Sequence, residues 1–119
     1  MNKAQKKRLL NVAKALRDDK DPEKFTMASF GACGTPACAL GHYAARKDLQ
    51  NVFRLTRTGW LGLVGKRDND LGIDAEEVHK HFGINYDQSE ELFGMRGCGG
   101  AKTPLAAAEY IEQFVARQS

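Results

Sequence analysis

The chain has 119 residues, 42% of them hydrophobic and 28% charged, with 18 basic and 15 acidic side chains. That length holds one domain, residues 1–119, and that composition excludes global disorder, collagen-like repetition and a disulfide-packed miniature scaffold. No apolar run approaches the ~20 residues of a membrane span, and three cysteines without a secretory leader predict a reducing, cytoplasmic setting with no membrane partner.

Residues 1–17 carry six bases and no acid, while 68–93 carry eight acids and one base. Leu9, Val12, Ala13 and Leu16 recur at helical spacing among those bases, so an amphipathic helix is predicted over about 3–17. Asp18 to Pro22 breaks it. Phe25, Met27 and Phe30 have no sustained period and read as a linking segment pinned into the core. Thr35-Pro36 then offers a hydroxyl cap followed by proline, the expected start of a helix running to Arg46. That helix is apolar almost all round and is predicted to run through the centre of the domain.

After Asn51 the period changes, and Thr58-Gly59 is a turn signal between two apolar runs. A β-hairpin over 52–64 is therefore expected, with Trp60 covering the core. Lys66 to Asp70 reads as a loop. Asp74 caps a short helix with Val78 and Phe82 on one face, and Gly83 is placed to end it in a left-handed conformation. A further helix through Ser89 to Phe93 ends at Gly94 by the same device. Thr103-Pro104 opens the last helix, whose Ala107, Ile111, Phe114 and Val115 form a stripe. The expected fold class is α+β, mostly α: four to five helices around a central helix with one β-hairpin.

The segment Cys33-Gly-Thr-Pro-Ala-Cys-Ala-Leu-Gly41 resembles a family of small bacterial and phage proteins with a Cys-Gly-Thr-x-x-Cys-x-x-Gly pattern. Phe25-Thr-Met27 before it, and Phe82-Gly-Ile84, Leu92-Phe93 and the Thr103 helix after it, follow the same order. The resemblance covers most of 25–115. It implies an architecture and a phage or mobile-element setting, and it implies no activity.

Cys33, Cys38, His42 and Cys98 are the sharpest constellation. Cys38 and His42 stand one helical turn apart and could hold a tetrahedral zinc with the other two thiolates. Against this, Cys98 arrives alone from a glycine-rich loop, and small buried thiols pack as hydrophobes. Cys38 in a first helical turn also suits a lowered thiol pKa, with His42 the only base nearby, a redox or nucleophilic alternative. Gly94 to Thr103 imitates a phosphate cradle, but Ala101 stands where a Walker A loop has glycine before its lysine. Glu76 to Phe93 imitates a helix-turn-helix, yet its would-be reading helix offers Asp87, Glu90 and Glu91 to an acidic polymer. His79 and His81 point in different directions and read as surface residues.

No catalytic constellation survives this comparison, so no enzyme and no cofactor is expected. Charge segregation does survive. The reading is a small accessory protein that binds a protein partner through a polarised surface, with Lys6, Lys7 and Arg8 on one side and Glu90 and Glu91 on the other. A zinc-stabilised or thiol-active module and a DNA-contacting regulator are the alternatives.

Overall fold

The computed structural model describes residues 2–18, 31–32, 35–36, 39–49, 53–55, 61–63, 75–94 and 97–118. Helix α1 spans Lys3–Arg17. It starts there because Asn2 and Gln5 form a capping box: the Asn2 side chain accepts from the Gln5 N–H at 2.9 Å, and Gln5 Oε1 accepts from the Asn2 N–H at 3.0 Å. Two orphan donors of the first turn are thereby satisfied. Leu9, Val12, Ala13 and Leu16 are buried, as the spacing predicts.

Helix α2 spans Ala39–Ala45, with residues 39 to 44 all buried, so the central, all-round apolar helix is present. Its expected start is corrected. Thr35-Pro36 is not a cap but a strand, β2, paired antiparallel with β1, Gly31–Ala32. Proline lacks the N–H a helix interior needs but loses nothing in a two-residue ladder with an open side. A 3-10 turn, Lys47–Leu49, follows α2.

The fold class is corrected as well. The described residues are mostly helical, and the α+β reading does not hold. Besides β1 and β2, the described strands are β3, Phe53–Leu55, and β4, Leu61–Leu63, which pair antiparallel over three residues each. Residues 56–60 between them lie outside the described residues, so the hairpin over 52–64 is not seen as a unit. Ladders this short make no sheet layer, and helix packing sets the architecture. The segment with Phe25, Met27 and Phe30, the 66–70 loop, Trp60 and the Asp74 cap also lie outside the described residues.

Helix α3 is Ala75–Phe82 and α4 is Tyr86–Phe93. Gly83 has φ +66° and the Ile84 N–H donates to the His79 carbonyl at 3.1 Å. That bond, from the second residue past the helix to the fourth from its end, is the Schellman closure that the glycine predicts. Helix α4 begins three residues earlier than its sequence suggests. A second capping box sets its start: Asn85 accepts from the Gln88 N–H at 2.8 Å, and Gln88 Oε1 accepts from the Asn85 N–H at 3.1 Å. Its end differs from expectation too, since Gly94 is extended, with φ −69° and ψ 175°.

A one-turn α5, Gly97–Gly100, is left-handed in its middle: Cys98 has φ 55° and Gly99 φ 67°. Helix α6, Pro104–Ala116, opens as predicted, with Thr103 Oγ1 accepting from the Ala106 N–H at 3.2 Å. Its stripe of Ala107, Ile111, Phe114 and Val115 is buried. Helix α1 packs on α6, α2 and α3, and α6 also packs on α5. The largest fully buried side chains are Tyr43, Phe53, Phe82, Leu9, Leu16, Leu92, Ile111 and Val12.

Candidate binding surface and the half-buried histidine

Charged side chains fall into two groups, those engaged within the fold and those left on the outside. Arg8 belongs to the first. It lies on the side of α1 that meets α3, and its Nη1 donates to the His81 carbonyl at 2.9 Å. Gln5 Nε2 donates to the neighbouring Lys80 carbonyl at 3.3 Å. With the Schellman bond at His79, three consecutive carbonyls of the α3 C-terminus have donors, and the Arg8 cation sits where the helix dipole is negative.

Arg17 is bidentate to Glu112, at 2.8 and 2.6 Å, and joins α1 to α6. Arg46 holds Asp48 through two bonds and Asp18 at 2.9 Å, which lowers the pKa of both carboxyls. Glu91 is also engaged, accepting from the Tyr110 hydroxyl at 2.7 Å with Arg117 at 3.7 Å. Of the predicted binding residues, Arg8 and Glu91 thus tie the fold together, Lys6 is half-buried, and Lys7 and Glu90 are exposed.

Along the outer face of α1 runs a row, at whose end Arg17 is turned to Glu112. Lys3, Lys7, Leu10, Lys14 and Arg17 follow one another at alternating steps of four and three residues, which keeps them on one face. All five are exposed, Leu10 at 44%. Lys14 lies 3.6 Å from Asp18, whereas Lys3 and Lys7 form no ion pair among the described residues. On α4 the outward residues are Tyr86, 65% exposed, with Asp87 and Glu90. That face carries two acids and no base, so the helix-turn-helix alternative presents a surface that repels phosphate.

His81 is the side chain that sequence reasoning misplaced. It is half-buried, and its Nε2 is 2.7 Å from the Tyr43 hydroxyl. Its ring meets Phe53 edge-on at 4.9 Å, beside the tilted ring pair of Tyr43 and Phe82. A signal was present: His81 is three residues after Val78 and adjacent to Phe82, so helical spacing sets it at the margin of the apolar face. Burial, with Arg8 nearby, pushes the imidazole down to about 4, and burial pushes the Tyr43 phenol up to about 12. Both groups are neutral at pH 7 and neither is poised near the working pH of a general acid or base, so the pair acts as packing.

The zinc candidates are not brought together by anything the structure describes. His42 is buried in α2, and Cys98 is buried in α5 with its thiol donating to the Leu92 carbonyl at 3.3 Å. Cys33 and Cys38 lie outside the described residues. Among the described residues no three His, Cys, Asp or Glu side chains are grouped to hold a metal. Of the glycine-rich segment, Gly97–Gly100 forms a tight turn that is left-handed at Cys98 and Gly99, and Tyr110 packs beneath Gly99. No described helix is long and apolar enough to cross a membrane.

Comparison with protein-family models, with curated proteins and with solved structures finds no match to this chain.

Proposed function

We propose that this chain is a non-enzymatic binding module that docks an acidic protein surface along the outward face of α1. The observation that carries the reading is the exposed row of Lys3, Lys7, Leu10 and Lys14, in which Lys3 and Lys7 have no internal ion pair among the described residues. Regularly spaced cations around one exposed leucine suit an acidic helix laid along α1: the charges steer and align, and the leucine supplies apolar area. Opposite them, Gln5 and Arg8 fix α1 to α3. The face is therefore held rigid, which reduces the ordering cost of binding.

The test uses Lys3→Glu/Lys7→Glu, since reversal at Arg8 would break an internal bond. Immobilised wild-type chain is expected to retain acidic proteins from a cell extract in low salt, and the double variant to lose them while keeping its helical circular dichroism. Equal retention by both forms would overturn the reading. A duplex DNA titration forms the second arm: low-salt binding to DNA that Lys3→Glu/Lys7→Glu abolishes would replace the protein partner by a phosphate one.

A further inference from the structure

Two outward faces of this molecule have matching layout and opposite sign. On α1, Lys3 and Lys7 stand one turn apart with Leu10 on the next turn. On α4, Asp87 and Glu90 stand one turn apart beside Tyr86, the most exposed of the large apolar side chains among the described residues. Like charges one turn apart on a helix are about 5–6 Å from each other, so the two rows share a pitch. Each row flanks one apolar side chain, 44% exposed for Leu10 and 65% for Tyr86.

The rest of the fold keeps both faces turned outward. Gln5 and Arg8 hold the opposite side of α1 against α3, and Arg17 joins α1 to α6. Glu91, the remaining acid of α4, is drawn inward by Tyr110 and Arg117, which leaves Asp87 and Glu90 without an ion pair among the described residues.

We propose that the occupant of the α1 face is α4 of a second copy of this chain, with Lys3 and Lys7 against Asp87 and Glu90 and Leu10 against the Tyr86 ring. This rests on the proposed function and names the acidic partner. The contact joins two different patches, so it is heterologous, and a pair of copies retains one unused face of each kind, α4 on one copy and α1 on the other. It is a small and partly polar contact, expected to hold at high protein concentration and low salt and to weaken by roughly tenfold or more as salt screens the charges.

Sedimentation equilibrium on the full chain tests it. In low salt the wild-type weight-average mass should rise with concentration above the 13.1 kDa of one chain, and in high salt it should return to that value. Lys3→Glu/Lys7→Glu alone and Asp87→Lys/Glu90→Lys alone should each remain at one chain's mass. Mixing the two in equal amounts restores opposite charges across the contact and should restore association. A wild-type mass that stays at one chain throughout would overturn the proposal, as would association of either variant alone at wild-type strength. If the wild type stays at one chain's mass while retention of acidic proteins still requires Lys3 and Lys7, this inference fails and the binding function stands. If retention fails as well, both fall.

Discussion

Gly83 is the residue at which backbone conformation and packing can be separated by experiment. Its φ of +66° lies in the left-handed region, and a Cβ placed there would overlap the side-chain amide of Gln5. Gly83→Ala therefore acts twice. The left-handed backbone costs alanine about 1–2 kcal/mol relative to glycine. Gln5 must also move, which takes its amide from the Lys80 carbonyl and from the Asn2 N–H. Those two bonds contribute about 0.5–1.5 kcal/mol each. The expected loss is about 2–5 kcal/mol, on the order of 10 °C in melting temperature for a domain this size. Urea unfolding followed by circular dichroism measures it, and Gln5→Ala supplies the control. In the Gln5→Ala background the clash is gone, and Gly83→Ala should cost only its backbone share of about 1–2 kcal/mol. A loss for Gly83→Ala below about 0.5 kcal/mol would refute the reasoning, as would equal losses in the two backgrounds.

Three further outcomes follow from the same geometry. The His81 imidazole should stay neutral until the pH is well below 6.5. Because its native pKa is lowered to about 4, stability is fully present above 6.5, declines as the unfolded chain takes up the proton first, and stops falling below about 4. An NMR titration midpoint near 6.5 would contradict its burial against Tyr43. Thr103→Ala should lose about 1 kcal/mol through the α6 cap, and Thr103→Ser should recover most of it; chemical denaturation of the pair is the check. At Cys98 the usual order of substitutions should invert. Ala keeps the left-handed backbone and loses the thiol bond to Leu92, whereas Gly relieves about 1–2 kcal/mol of backbone cost, so Cys98→Gly should unfold at no lower urea concentration than Cys98→Ala.

Elements whose signals lie within one segment are legible in the sequence. The apolar stripe of α1, the Thr103-Pro104 start of α6 and the Gly83 stop of α3 all stand where local chemistry puts them. Thr35-Pro36 carries the same cap-and-proline signal as Thr103-Pro104 and yet forms a strand, because Gly31–Ala32 is there to pair with it. Helix-start propensity yields to a strand partner three to five residues upstream in that case. Gly94 fails for a related reason: glycine permits the left-handed conformation without requiring it, and here the chain leaves α4 extended. At 52–64 the two apolar runs do pair as β3 and β4, but ladders of three residues form no sheet layer, so the fold class follows the helices instead.

The binding surface shows the same divide between near and far. That α1 is basic on its outer side is a matter of spacing alone, but which of its bases are engaged depends on residues far away in sequence. Arg8 meets a carbonyl 73 positions on, and Glu91 meets a hydroxyl 19 positions on. A run of Lys6, Lys7 and Arg8 looks like one patch when written out, yet 100° per residue points the three in three directions. Reversing all of them would place a carboxylate at position 8, beside the carbonyl end of α3, where the helix dipole repels it. The α1–α3 contact over the Tyr43–His81 pair would weaken along with any docking, and loss of a partner would report on the fold. Lys3 and Lys7, which the fold leaves without ion pairs among the described residues, are the positions at which charge and stability separate.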